Sequence, residues 1–433
     1  MRAFLLIIVF WLLIKFPIIA VASIDMTIIY SGNLNGDLEP CGCTLEGDLG
    51  GIRRRVTLVD ELCKTSPNLF LISSGGLIVS QAASDRLTSV YILKGFEALN
   101  YDAIGIQRQD LSYGADFLKA AQLPWVSTNW KGDQFSRYKR IERGDRKLAF
   151  FSWLEPPIEF HGASGSKGRH KRTRTGLEVL KNNLAEAKSE NALTVLTTGL
   201  NYEAALASLP LTFVDILIVK AASEKYVEPE MFKGALILRP GVRGLQLGRL
   251  DITFDSDNRI QSFKHQQIPM SPFFADSPRM AEWYTEYNDR VKQAYLKSVE
   301  IRKAIELGER NYVGADACKE CHQSAYHVWS TSQHAKAFDS LALVNKAFDP
   351  NCITCHTVGF NKEGGYIDYE DTAYLTDVQC ESCHGAGRKH ITSNGSMATE
   401  QRQWPRKRIC MQCHSRKHSP SFSLESYWSR ISH

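Results

Sequence analysis

The chain has 433 residues, 43% hydrophobic and 23% charged, proportions that exclude a disordered or collagen-like polymer. That length accommodates two or three domains. A net charge of +5 is too small for such a length to argue for nucleic acid as a partner.

Arg2 precedes an apolar run over 3–14, and Ala20-Val21-Ala22 offers a small-x-small cleavage pattern, so residues 1–22 read as an export signal. The alternative is an uncleaved N-terminal anchor helix, which Lys15 near the middle of the span disfavours. No later stretch is long and apolar enough to cross a bilayer. From 23 to 272 short apolar runs alternate with amphipathic ones. Strands are predicted over 26–30, 69–72, 103–106, 125–128, 148–153, 193–196 and 214–219, with later ones over 236–238 and 245–254. Helices are predicted over 57–62, 86–99 and 176–189, and the alternation predicts an α/β domain with helices covering a sheet.

Three local features stand out within and after this region. Cys41, Cys43 and Cys63 sit far from the other cysteines; in an oxidising compartment a disulfide to Cys63 is the default, and a metal or redox role for Cys41-Gly42-Cys43 is the alternative. The basic run over 167–174 is expected to be a solvated loop before a helix, with docking of an acidic redox partner as its sharper reading. Ser277 is expected to cap a helix reaching about residue 309. Its apolar residues Met280, Tyr284, Tyr287, Val291 and Tyr295 recur every three or four positions, so 273–310 reads as a helical connector.

From 311 to 433 the strand pattern vanishes and Cys-x-x-Cys-His occurs four times: Cys318/Cys321/His322, Cys352/Cys355/His356, Cys380/Cys383/His384 and Cys410/Cys413/His414. This spacing attaches c-type haem, the two thiols bonding to the porphyrin and the adjoining imidazole becoming the proximal iron ligand. Paired Cys-x-x-Cys units also make structural zinc sites, but zinc does not require a histidine directly after each second cysteine. A disulfide framework leaves the four histidines unexplained. Four covalently bound c-type haems are therefore expected. With about 31 residues for each, the macrocycles must form much of the interior of a mainly α and irregular domain. Covalent haem attachment takes place outside the bacterial cytoplasm, so a periplasmic or extracellular location is expected.

The segments 314–318 (GADAC) through 335–338 (AKAF), 352–360 (CITCHTVGF), 378–390 (VQCESCHGAGRKH) and the 419–428 ending resemble the multihaem cytochrome c family of tetrahaem, nitrifier hydroxylamine-pathway type. The resemblance covers 311–433. It implies a soluble electron carrier with mostly bis-histidine haems and one haem open at its sixth position. It points to His334, in Ser-x-His-Ala, and His390 as distal ligands. His433, in a Tyr-Trp-x-x-Ile-x-His ending, is a third candidate, and His327 and His418 are expected at the surface or behind the ligands.

A second resemblance covers roughly 25–270. The blocks YSGNLNG at 30–36, GGIRR at 50–54, LISSGG at 71–76, DAIGIQRQDLSYG at 102–114 and VDILI at 214–218 are similar to successive blocks of the calcineurin-like metallophosphoesterases, near the 5′-nucleotidases. It implies a metallophosphoesterase-like α/β sandwich. That family's chemistry needs two metal ions held by Asp and His. Here Asn33 and Asn35 stand where the first Asp-x-His belongs, Gly76 replaces the bridging Asp, Arg108 and Gln109 replace Asn-His, and Ala221 and Ala222 fall where late imidazoles belong. The expectation is a retained fold without its dinuclear site.

The function expected from these readings is an exported electron carrier between redox partner proteins, with the degenerate domain for docking or scaffolding and no catalytic residues assigned. No nucleic acid and no stable membrane span after signal cleavage are expected, and oligomers or filaments are left open. Two alternatives stand: a haem enzyme acting on a small nitrogen or sulfur compound at a five-coordinate iron, and a phosphoesterase.

Overall fold

The structure is a computed structural model that describes residues 24–40, 47–66, 68–82, 84–156, 169–305 and 310–433, with backbone alone for 169–175. The expected export signal, Cys41 and Cys43, and the last residues of the expected connector lie outside the described residues.

The strands are β1 (Met26–Ser31), β2 (Leu69–Ser73), β3 (Ala103–Gly105), β4 (Trp125–Val126), β5 (Tyr138–Arg143), β6 (Arg146–Trp153), β7 (Leu193–Thr198), β8 (Ile216–Ile218), β9 (Glu230–Phe232), β10 (Ala235–Leu238), β11 (Gln246–Phe254) and β12 (Ile260–Pro269). They form two six-stranded sheets, ordered β12-β11-β1-β2-β3-β4 and β5-β6-β7-β8-β10-β9. The central pairings β1–β2–β3–β4 and β6–β7–β8–β10 are parallel, most joined by strand–helix–strand connections and β8 to β10 by a loop through β9. β11 and β12 add antiparallel to the first sheet, and β5 and β9 add antiparallel at the edges of the second.

Side-chain alternation makes the layers. Met26, Ile28 and Tyr30 of β1 face Leu148 and Phe150 of β6 across the core between the sheets. The intervening Ile29 faces outward onto α1 (Ile52–Thr65) and α2 (Asp85–Glu97). On the opposite side Ala149, Phe151 and Trp153 pack under α4 (Arg169–Ser189) and α5 (Tyr202–Ser208). A short α3 (Ala115–Lys119) precedes β4. The result is helix, sheet, sheet, helix.

Two expectations are corrected here. The backbone from Arg169 is already helical, not a loop, because lysine and arginine are good helix formers. Ser277 does not cap the connector helix: its side chain makes no capping hydrogen bond, and a 3₁₀ turn at Pro278–Met280 intervenes before α6 (Ala281–Ile305). Cys63 is an exposed thiol, and the expected partners of its disulfide, Cys41 and Cys43, lie outside the described residues.

The apolar stripe of α6 behaves as its spacing predicts. Tyr287, Val291, Tyr295 and Val299 are buried, in one cluster with α1 and α2 on one side and with Phe338, Ile353, Val358, Tyr366 and Leu375 on the other. Tyr295 donates its hydroxyl to the Ile367 carbonyl at 3.2 Å, and Arg302 reaches the carbonyls of Tyr366 and Ile367. The sandwich and the C-terminal stretch thus share a core through one helix. Among the described residues no helix is long and apolar enough to cross a membrane.

Beyond Asn311 the chain folds into short helices: α7 (Asp316–Lys319), α8 (Gln323–Ser330), α9 (Ala337–Leu343), α10 (Pro350–His356), α11 (Tyr369–Thr372), α12 (Cys380–His384), α13 (Arg388–Thr392), α14 (Arg406–Cys410) and α15 (Leu424–Trp428). After Leu375 no apolar side chain is buried among the described residues, although half of the Cys-x-x-Cys-His motifs lie there.

Candidate haem sites and the phosphoesterase-like pocket

The C-terminal turns are held by buried side chains that accept from backbone. The Glu381 carboxylate, inside the third motif, accepts from the N–H groups of Val313, Gly314 and Gly387 at 2.7 to 3.1 Å. Burial pushes its pKa up, against the pull of those donors. Gln379 accepts from Ala315 N and donates to the carbonyls of Tyr374 and Thr376. Together they tie the strand of chain before the first motif to the helix of the third. Neither residue was singled out from the sequence, although an acid between two motif cysteines, where no ligand is required, was a visible signal.

On this frame the motif histidines meet others from far along the chain. The ring centroids of His322 and His390 are 6.1 Å apart, those of His334 and His414 6.1 Å, and those of His384 and His433 5.8 Å. A metal–imidazole bond of about 2 Å on each side, plus half of each ring, spaces two axial imidazoles by roughly 6 Å. Burial, with a neighbouring imidazole adding to it, lowers the pKa of His334 and His384, and burial lowers that of His414, which favours the neutral ring.

The second ring nitrogen is also committed. Nδ1 of His390 lies 2.7 Å from the Met397 carbonyl and that of His433 lies 3.0 Å from the Ile431 carbonyl. Nδ1 of His356 lies 2.5 Å from the Ala337 carbonyl. A carbonyl can only accept, so each Nδ1 carries the proton and Nε2 keeps its lone pair for a metal. His356 differs from the other motif histidines: among the described ring contacts none faces it. His327 is exposed, as are His322, His384 and His433, so exposure does not separate it from the ligand candidates.

The thiols converge as well. Across motifs, Cys318 of the first lies within hydrogen-bonding reach of Cys380 of the third, and Cys355 of the second within reach of Cys413 of the fourth. At three motifs the donor set fits haem iron: each imidazole pair about 6 Å apart contains the histidine of one Cys-x-x-Cys-His motif, whose thiols are half-buried or exposed.

The other site lies at the C-terminal ends of β1, β2 and β3. Asn33 accepts from Gln107 Nε2 at 3.0 Å, and Asn35 accepts from Gln109 Nε2 at 2.9 Å. A Cβ on Gly76, whose φ is +72°, would stand 2.8 Å from Gln107 Oε1. Gln107 thus occupies the space beside Gly76, a role its sequence position did not suggest. Arg108 turns away, donating through Nε and Nη2 to the Glu155 carbonyl. Ala221 and Ala222 lie in the loop after β8 and offer only methyl groups. Among the described residues no group of three or more His, Cys, Asp or Glu could hold a metal ion. Neutral amides paired with one another do not fit a dinuclear metal centre.

Fold and sites together define a class: a sandwich of the calcineurin-like phosphoesterase fold joined to a C-terminal segment that carries four Cys-x-x-Cys-His motifs. Residues 317–385 match the family described as cytochrome c554 and c-prime. Cytochrome c-554 of Nitrosomonas europaea is 33% identical over 115 residues, 22% of this chain and 49% of that protein. The chain spans about half the length of that relative. Over the sandwich, a 5′-nucleotidase precursor from Thermus thermophilus superposes with a TM-score of 0.51 at 20% identity, covering 63% of this chain and 60% of that one. A calcineurin-like phosphoesterase from Bacillus subtilis gives 0.46 at 15% identity, covering 61% and 97%. At 20% identity the first of these likenesses shows the fold alone.

Proposed function

We propose that the chain is an exported four-haem c-type cytochrome that carries electrons between redox partner proteins, with a phosphoesterase-like domain that has given up metal chemistry. The observation that carries this reading is the set of three imidazole pairs, each spaced 5.8 to 6.1 Å and each built on one Cys-x-x-Cys-His motif. Haem would supply one-electron chemistry at iron. Cys318 and Cys321, Cys352 and Cys355, Cys380 and Cys383, and Cys410 and Cys413 would anchor the macrocycles through thioether bonds. His322, His356, His384 and His414 would be proximal ligands, opposed by His390 at the first, His433 at the third and His334 at the fourth. The Nδ1–H bonds to backbone carbonyls hold His390, His433 and His356 in one orientation and tautomer, which limits rearrangement when charge changes nearby.

The proposed organisation is an export signal over 1–22, the phosphoesterase-like domain over 23–272, a helical connector over 273–310 and the haem domain over 311–433. A periplasmic or extracellular location accompanies covalent haem. The neutral Asn33–Gln107 and Asn35–Gln109 pairs support loss of phosphoesterase activity.

Intact mass and a spin-state spectrum of the mature protein test this together. Four added haems, three low-spin and one high-spin, are expected. Replacing His433, which is exposed, should convert one further haem to high spin without loss of folded protein. A colourless product, or an unchanged spectrum in that variant, contradicts the assignment. A second reading, a haem enzyme, is favoured by one feature: His356 faces no second imidazole among the described ring contacts. A high-spin signal that shifts with nitric oxide or hydroxylamine, together with turnover, would establish it.

A further inference from the structure

The loop that begins at Asn33 and Asn35 goes on to two carboxylates, and both turn toward the C-terminal stretch. Asp37, 9% exposed, accepts from Arg243 Nε at 2.8 Å and pairs with Lys417, which follows His414 by three positions. Glu39 accepts from the Tyr284 hydroxyl of α6 and from Lys346 Nζ at 2.8 Å. Lys346 is 8% exposed; its ammonium also donates to Asn288 at 2.7 Å, stands 3.8 Å from Asp349, and lies over the rings of Tyr284 and Tyr287. A buried ammonium costs several kcal/mol unless it is paired and fully bonded, so this one depends on carboxylates from two distant parts of the chain.

Asp349 carries the connection to a haem motif. Its side chain accepts from Asn351 N at 3.0 Å and its carbonyl accepts from the N–H groups of Cys352 and Ile353, so it caps α10. That helix holds Cys352, Cys355 and His356 in seven residues. A continuous line of ionic and hydrogen-bonded contacts therefore runs from the sandwich, through one lysine, to the helix bearing the motif histidine that faces no second ring.

We propose that Glu39, acting through Lys346 and Asp349, is a positioning residue by which the phosphoesterase-like domain sets the reduction potential of the haem at His356. The inference rests on the haem reading above. In it, the loop of the lost metal site takes on a new role, sharing one charge balance with the haem domain. Electrostatics fixes the signs. Removing the Glu39 charge leaves Lys346 under-compensated, and extra positive charge favours the reduced iron. Removing the Lys346 charge leaves Glu39 and Asp349 and favours the oxidised iron.

The test is a spectroelectrochemical titration of the holoprotein, following the high-spin haem, for E39Q, K346M, the double variant and K346R. E39Q should raise the potential and K346M lower it, each by roughly threefold to tenfold in the one-electron equilibrium, at most about 59 mV. The double variant should return toward the parent value and K346R should stay near it. The three low-spin haems should move less. Should K346M fail to accumulate, K346Q removes the same charge. A packing role alone would shift both single variants in the same direction, and that result overturns the proposal. So do unmoved potentials with haem content intact. Haem counted first by intact mass and located by the mass of the peptide carrying Cys352 and Cys355 separates the cases: absence of haem at His356 overturns the functional reading itself, and this inference with it.

Discussion

The sandwich buries Ile28, Tyr30, Phe70, Phe150 and Ile216 at 1% exposure or less between two sheets, whereas the C-terminal stretch has helices of eight residues or fewer and buries no apolar side chain after Leu375. The sandwich is held by close-packed side chains throughout; in the C-terminal stretch Phe338, Ile353, Val358, Tyr366 and Leu375 pack with α6, and the turns around the motifs are tied to Glu381, Gln379 and Asp377. The difference teaches where the stability of each must come from. A sheet core is complete in polypeptide alone, since its strands satisfy one another's amides and its side chains fill the gap between layers. The C-terminal stretch lacks that completeness, and covalent macrocycles are the proposed remainder of its interior.

The strongest way to break this contrast is to prepare the protein without haem maturation. Amide hydrogen exchange should then show the C-terminal turns, including the Glu381-bonded amides of Val313 and Gly314, unprotected, while β1 and β7 stay protected. Equal protection in both regions would remove the distinction. A smaller effect is expected inside the sandwich. Phe150→Ala should cost about 3–5 kcal/mol in a denaturant titration followed by far-ultraviolet dichroism, with the haem spectrum unchanged before the transition. A spectrum that changes first would mean that the haem region depends on the sandwich core more directly than α6 suggests. The smallest effect concerns the pocket at Gly76 and Gln107. Gly76→Asp should destabilise by about 1–3 kcal/mol, because its φ of +72° and the nearby Gln107 both oppose a side chain there. Neither that variant nor the parent should release phosphate from nucleotides with added manganese above the background rate. Release by the parent would return the phosphoesterase alternative to first place.

Much of the fold was legible because buried strands write themselves as apolar runs. Those at β1, β2, β6, β7 and β10 were found where the structure has them. The strands that escaped are β5, β9 and β12, each at the edge of a sheet, with mostly exposed residues such as Lys139, Glu230 and Lys264. Edges carry charges that keep them from pairing with other chains, so they show no apolar run to read. The degenerate metal positions Asn33, Asn35 and Gly76 were likewise visible as departures from a pattern, but Gln107 was not, because its position in that pattern is not a ligand.

The four Cys-x-x-Cys-His motifs needed no tertiary information, since the spacing that binds one macrocycle is a covalent matter settled within five consecutive residues. Which imidazole stands opposite which, and that His356 faces none among the described ring contacts, depends on turns folded by residues far away in the chain. The same holds for Glu39 and Lys346, more than 300 positions apart and joined at 2.8 Å. Local chemistry is written in spacing; a meeting between distant side chains exists only once packing has brought their backbones together.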